Sequence, residues 1–244
     1  MAKKNRPSIT GPIDCACVIH GSGYSWEYVE KLYNMLVRVL VNIRFHVYTE
    51  HDRSVPPHMI KHCLDDWGIS GPKKSWWYKI QLFNPQHHSG NMLYLDLDTV
   101  IVRDLDFVRS LDPAYLWSIR DFKYLQRPTL STVNSSMMWF NVSQFADVWQ
   151  KFTARPVDQA TSGYPGDQDY ISACVDHNRR RFFEDRYFQS YRWQCLDGGY
   201  DFSKRRYNRP GSGPTIAPDT AVVVFHGVPK PHQITAPLIQ QLWQ

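Results

Sequence analysis

Apolar residues in this chain come in short continuous runs bounded by turn residues, with amphipathic stretches between them. Asp14-Cys15-Ala16-Cys17-Val18-Ile19-His20 reads as a buried strand, and Gly21-Ser22-Gly23-Tyr24 as the turn that follows it. Leu32, Leu36, Val39 and Leu40 then recur at helical spacing. They predict a helix capped by Ser25, with Glu27 and Glu30 near its positive end. Phe45–Thr49 reads as a second strand, which completes a strand–helix–strand unit of the kind that builds parallel sheets. Further strands are expected over 92–96, 100–103, 115–119, 136–140 and 221–225, and helices over 57–66, 75–83, 143–151, 167–175 and 235–242. The stretch 185–218, rich in Gly, Arg and aromatics, reads as irregular functional loop. This alternation predicts an α/β fold with an open, mostly parallel twisted sheet flanked by helices. Ligands of such sheets bind beyond the carboxyl ends of the strands, where strand order reverses. Tyr24, Thr49 and Asp96 all follow strands and are expected to converge there.

The run Leu93-Tyr94-Leu95-Asp96-Leu97-Asp98-Thr99-Val100-Ile101-Val102 delivers two carboxylates, one residue apart, out of apolar surroundings. On extended backbone they share a face. At about 5 Å and an effective dielectric of 20 they repel by roughly 3 kcal/mol, about two pKa units on one of them. A divalent cation between them relieves that repulsion, and hard oxygen ligands suit Mg²⁺ or Mn²⁺. The alternative is a strand end whose aspartates cap a turn and face water.

Composition narrows the class. The 244 residues, 43% of them hydrophobic, fit one domain without repeats or low-complexity segments. Nine Trp, fourteen Tyr and twelve Phe suit sugar- or base-stacking surfaces, though aromatics also fill cores. Apolar runs such as Ala221–Phe225 fall far short of the ~20 residues of a membrane span. The polar start Met1–Pro7 lacks the apolar segment of a signal peptide, so the protein reads as cytoplasmic, with residues 1–12 a flexible tail. Five cysteines without Cys/His ligand spacing read as buried thiols and argue against zinc. The formal charge of +5 is concentrated in Arg179-Arg180-Arg181 and Lys204-Arg205-Arg206 with Arg209, among aromatics. These clusters read as loop charge, as a site for an anionic glycan or lipid headgroup, or as a nucleic-acid surface.

Five blocks, in order over roughly residues 14–232, carry a family resemblance. They are Trp76-Trp77-Tyr78-Lys79-Ile80-Gln81-Leu82-Phe83, Tyr94-Leu95-Asp96-Leu97-Asp98-Thr99, Asn134-Ser135-Ser136-Met137-Met138, Gly166-Asp167-Gln168-Asp169 and Phe225-His226-Gly227-Val228-Pro229-Lys230-Pro231. The pattern resembles the nucleotide-sugar glycosyltransferases of the GT-A fold, in the family that includes glycogenin and bacterial lipopolysaccharide galactosyltransferases. Three features depart from it. His226 and Lys230 are two residues closer than their family counterparts, Ser136 replaces a glycine, and Gly21–Tyr24 matches loosely.

The resemblance implies a single domain over 13–244, with a Rossmann-like nucleotide-sugar half over about 13–103 and an acceptor half over about 104–232. It implies a metal-dependent, retaining hexosyltransferase that takes a UDP-sugar, with Mn²⁺ or Mg²⁺ held by Asp96, Asp98 and His226. Tyr24 would stack on the base, Thr49 and Asp96 would approach the nucleotide, and Lys79, Gly227 and Lys230 would meet the diphosphate. Asn134 and Ser135 would bind sugar hydroxyls, and Asp167 and Gln168 would meet the transferred sugar. Plainer readings stand beside these. His226 would merely end a buried strand, Lys230 would be solvated, Lys79 would lay its stem along the core, and Asp167 would be a helix N-cap. The acceptor would be a glycan, a lipid-linked glycan or, in a phage-type enzyme, DNA bearing hydroxymethylated bases. A nucleotide-sugar binding protein without catalysis is a further alternative. A two-metal phosphodiesterase would want more acidic ligands and a His cluster, neither of which the linear spacing shows.

Overall fold

The computed structural model describes residues 11–69, 74–196, 200–201, 206–207 and 214–244. In chain order the elements are β1 (Ile13–Val18), α1 (Glu27–Val39), β2 (Ile43–Thr49), β3 (Ile60–Cys63), β4 (Asn91–Leu95), β5 (Thr99–Ile101), β6 (Leu116–Arg120) and β7 (Val133–Asn141). Then come α2 (Ala146–Thr153), α3 (Val157–Ser162), α4 (Asp167–Cys174), β8 (Arg180–Phe182), β9 (Phe188–Ser190), β10 (Tyr200–Asp201), β11 (Arg206–Tyr207), β12 (Val222–Val224) and α5 (Pro237–Leu242).

Seven strands form the main sheet in the order β3-β2-β1-β4-β7-β6-β8. The first four run parallel, β7 is antiparallel to both β4 and β6, and β8 is parallel to β6. The chain leaves β1 toward β2 and β3 on one side and returns to β4 on the other. Strand order therefore reverses between β1 and β4, which opens a crevice at their carboxyl ends. A second sheet, β5-β12-β9, follows directly from β4 through the two aspartates.

Burial explains why the strands read as continuous apolar runs, since both faces of the main sheet are covered. Cys15, Cys17, Leu93, Leu95, Met137 and Trp139 pack with Tyr28, Val29, Leu32 and Leu36 of α1 and with Val222–Phe225. Ala16, Tyr48, Met92, Tyr94, Met138 and Phe140 pack on the other side with Tyr78, Ile80, Leu82, Phe83, Phe145, Phe152 and Tyr170. Among the described residues, no helix is long and apolar enough to cross a membrane.

Three expectations about local structure are corrected and a fourth, the 75–83 helix, is borne out. The helix expected over 57–66 contains strand β3, because the Ile60–Cys63 backbone pairs with His46–Thr49 at the sheet edge, and that pairing overrides local propensity. Ser25 is not the cap of α1. Trp26 holds that position in helical conformation, and the Ser25 carbonyl accepts from the Tyr28 amide at 3.1 Å. The 75–83 helix is present as a 3₁₀ helix, Ser75–Phe83. The stretch 185–218 is not all loop, for β9 lies parallel to β12 and a π-helical turn spans Tyr191–Cys195. The 1–12 tail lies outside the described residues up to position 10, as does the Lys204–Arg209 cluster apart from the strand backbone at 206–207.

Leu93 sits between Cys15 of β1 and Trp139 of β7 and is fully buried. Leu93→Ala is expected to cost about 2–5 kcal/mol, read as a lower urea midpoint with an unchanged slope.

Candidate active site

Main-sheet pairing ends one residue beyond β4. The Asp96 amide donates to the Ser136 carbonyl at 2.8 Å, and the chain then turns. The Thr99 amide and hydroxyl both return to the Asp96 carbonyl, at 3.3 and 2.8 Å, before β5 begins in the second sheet. Asp96 and Asp98 therefore occupy a turn, and the extended-backbone argument for a shared face does not hold. They still feel each other across the turn, and a different cation sits on each.

Lys79 serves Asp96. It projects from the 3₁₀ helix and is only 5% exposed. Its ammonium lies 2.9 Å from Asp96 Oδ1 and 3.0 Å from Asp167 Oδ2, and it donates to Ser135 Oγ at 2.9 Å. Ser135 Oγ donates in turn to Asp167 Oδ2 at 2.6 Å, and the Tyr94 hydroxyl donates to Asp96 Oδ1 at 2.6 Å. Lys230 serves Asp98. Its ammonium donates to Asp98 Oδ2, which also accepts from the Tyr24 hydroxyl at 2.8 Å, and to the Phe225 carbonyl at 3.2 Å. Sheet pairing places it there, since Val224 is opposite Thr99 and the Phe225 amide donates to the Asp98 carbonyl at 3.1 Å. Gly227 turns the following loop with φ +76°, a left-handed conformation that other residues adopt only under strain.

Burial opposes ionisation throughout this cluster, and the partners decide the outcome. Asp96 is lowered because Lys79 and Tyr94 outweigh its burial. Asp98 is raised, since burial and the neighbouring Asp96 charge together outweigh Lys230. Lys79 is raised because Asp167 and Asp96 outweigh its burial, so it stays charged. Two carboxylates pushed in opposite directions inside a crevice mark a candidate functional site.

The other expected residues are placed as follows. His226 shares a hydrogen bond with Ser190 Oγ through Nε2 at 2.6 Å and lies against Phe122 and Trp193. Burial, with help from the Arg192 charge, lowers it to about 4, so the ring is neutral. The structure does not bring it together with the aspartates as three converging ligands. Among the described residues such convergence occurs at Asp14, His46 and His88. Asn134 accepts from the Ser136 amide at 3.0 Å. Asp167 is the first residue of α4 and Gly166 is the cap, so the N-cap reading of Asp167 does not hold. Thr49 is buried and donates to Glu50 at 2.8 Å.

The basic triplet is largely engaged internally. Arg180 is buried, Arg179 donates to the Gln144 carbonyl, and Arg181 lies over the Tyr115 ring.

Two acids were not anticipated. Asp121 follows β6 as Asp96 follows β4, and it accepts from Gln168 Nε2 at 3.4 Å. Its position just past an apolar strand is the signal that could have found it. Glu50 follows β2, accepts from the Gly21 amide and pairs with Arg53 at 2.9 Å, and Arg53 also donates to the Gly21 carbonyl at 2.9 Å. It lines a cavity of about 300 Å³ off the carboxyl ends of β1–β3, together with His20, His51, Asp52, Leu64, Asp65 and Asp66. His20 stacks on Tyr78 at 3.6 Å.

No family model and no curated protein matches this sequence. Solved structures do match. An active-site mutant of LgtC superposes with a TM-score of 0.65 at 15% identity, covering 94% of each chain. The galactosyltransferase LgtC in complex with donor and acceptor sugar analogs gives 0.62 at 15% identity, covering 95% of this chain and 97% of that one. The glycosyltransferase GlyE of Streptococcus pneumoniae TIGR4 gives 0.65 at 15% identity, covering 95% of this chain and 60% of that one. The chain has the GT-A glycosyltransferase fold. In this GT-A sheet the Asp96–Asp98 turn lies at the crevice where strand order reverses.

Lys79→Met leaves the buried Asp167 and the partly buried Asp96 without their shared cation. It is expected to cost about 3–5 kcal/mol in chemical denaturation. Glu50 is lowered to about 2, because Arg53, the Gly21 amide and Thr49 outweigh its partial burial. Its contribution is present above pH 4.5 and is lost as pH falls through about 2. After solvent screening this is about 1–2 kcal/mol. Glu50→Gln is expected to flatten that part of the stability–pH curve.

Proposed function

We propose that this protein is a metal-dependent, retaining glycosyltransferase that moves a sugar from a UDP-sugar to an acceptor hydroxyl. The observation that carries the reading is the Asp96–Asp98 pair at the GT-A crevice, Asp98 buried and Asp96 partly so, each carboxylate already holding an ammonium group. Asp98 is the carboxylate that stays short of counter-charge, and its oxygen ligands suit Mn²⁺ or Mg²⁺. Asp96 and Asp98 would hold that metal. When bound it would stabilise the negative charge that builds on the departing diphosphate.

The chain's own groups do the rest. Lys230 is partly exposed, and exchanging Asp98 for the diphosphate would bring its ammonium to the leaving group. Gly227 keeps the backbone beside it free of a side chain. Lys79 is fixed by Asp96, Asp167 and Ser135, so its task is to hold Asp167 and Ser135 toward the transferred sugar. Asn134, Gln168 and Asp121 complete that wall. The cavity beside Glu50, with Thr49 behind it, would take the base and ribose. Tyr24 holds Asp98 through its hydroxyl. His226 Nε2 is held by Ser190, which leaves Nδ1 as the nitrogen it would offer as a ligand. The LgtC complex with donor and acceptor sugar analogs supports the substrate class.

A panel of nucleotide sugars, with and without Mn²⁺, tests this by thermal unfolding. One donor at 100 times its dissociation constant adds about 2.7 kcal/mol, or roughly 5–10 °C, and only with metal. Asp98→Asn is expected to abolish that shift and the transfer of sugar. A flat panel, or transfer unaltered by Asp98→Asn, contradicts the proposal.

A further inference from the structure

The sheet face that carries Lys79 also carries four imidazoles and a carboxylate, and that carboxylate, Asp14, lies near the opposite ends of the strands. Ala16 is opposite Tyr94, so Asp14 is level with Met92, four residues before Asp96. The separation along the strands is about 13 Å. Asp14 lies on β1, His46 on β2, His62 on β3, and His87 and His88 on the segment that leads into β4.

His46 Nε2 is 2.9 Å from Asp14 Oδ1, and His88 Nε2 is 3.7 Å from Asp14 Oδ2. One ligand atom from each of the three residues lies within 4.8 Å of the others. Asp14 and His46 are buried, and His88 is nearly so. The Nε2 atoms of His87 and His88 are buried without a hydrogen-bond partner. A buried polar nitrogen normally has one, and His88 Nε2 instead faces the Asp14 carboxylate, where a bound cation would serve both. His46 Nδ1 is 2.8 Å from His62 Nε2, and Tyr48 stacks on His62 at 4.5 Å. His62 thus takes the place of the outer partner that fixes a metal-bound imidazole, and it holds His46 with Nε2 on Asp14, where an ion would replace their hydrogen bond. Arg44 supplies the present cation, donating to both Asp14 oxygens at 2.6 Å. Its side chain is 54% exposed and can turn out to water.

We propose that Asp14, His46 and His88 form a binding site for a divalent transition metal of the Zn²⁺ class, separate from the Asp96–Asp98 pair. His62 orients His46, and the metal displaces Arg44 from Asp14. Two imidazoles and a carboxylate suit Zn²⁺ or Co²⁺ better than Mg²⁺. The bound ion ties β1, β2 and the approach to β4 together. It therefore stabilises the fold at a distance from the chemistry.

Titration of tag-free full-length protein with Co²⁺, followed by competition with Zn²⁺, tests the site. One Co²⁺ per chain is expected, with visible absorption bands that Zn²⁺ abolishes. Binding should persist in the Asp96→Asn/Asp98→Asn double variant, which separates this site from the proposed donor site. His88→Gln is expected to weaken Co²⁺ binding by at least about 100-fold. Arg44→Gln removes the competitor and is expected to tighten it by about tenfold. The second variant decides the matter if His88→Gln fails to fold, since it strengthens binding only where Asp14 is a ligand. Absence of saturable binding in both the native chain and Arg44→Gln overturns the proposal. So does binding that is indifferent to His88→Gln in a folded variant, or that disappears with Asp96 and Asp98.

Discussion

One buried ammonium organises the crevice. Lys79 lies among Asp96, Asp167 and Ser135, which come from the turn after β4, the start of α4 and strand β7. Taking a lysine out of water is costly, and two carboxylates at about 3 Å reverse that cost only while all three elements stay in place. The charge therefore acts as a lock between parts of the chain that are distant in sequence. It also biases the aspartate pair, because it favours the ionised form of Asp96, while burial and then that Asp96 charge raise Asp98.

The junction between the two sheets gives that lock its use. β4 and β5 are consecutive but belong to different sheets, so the chain must turn at Asp96–Asp98. β12 pairs with β5 and carries Phe225 to the same corner, which brings Lys230 onto Asp98 from more than a hundred residues away. The two ammonium groups differ in freedom. Lys79 is sealed in, whereas Lys230 is partly exposed at the end of a loop. In the proposed reaction Lys230 is the cation free to bind and release the anionic leaving group, and Lys79 the one that stays in place.

Much of this was legible in the sequence. The apolar runs gave the parallel strands, Asp96 and Asp98 stood out from local pattern, and Lys79, Ser135, Asp167 and Lys230 from the family resemblance of their blocks. Their mutual contacts were not legible, because spacing within one element says nothing about which elements meet. The same limit hid Glu50 and Asp121, each an acid one residue past a strand, and it hid the imidazoles of His46 and His88, whose ligand set is spread over three segments. His226 follows β12 by two residues, and its ring turns to Ser190 because β9 lies parallel beside β12. β3 was misread because an edge strand of four residues takes its conformation from its neighbour.

Anomalous diffraction at the manganese edge from crystals grown with Mn²⁺ and UDP examines the central claim directly. The account predicts a peak bounded by the carboxylates of Asp96 and Asp98, with Lys79 still on Asp96 and Lys230 moved to the diphosphate. UDP bound with no manganese at that turn, or the two carboxylates directed to different cavities, contradicts it.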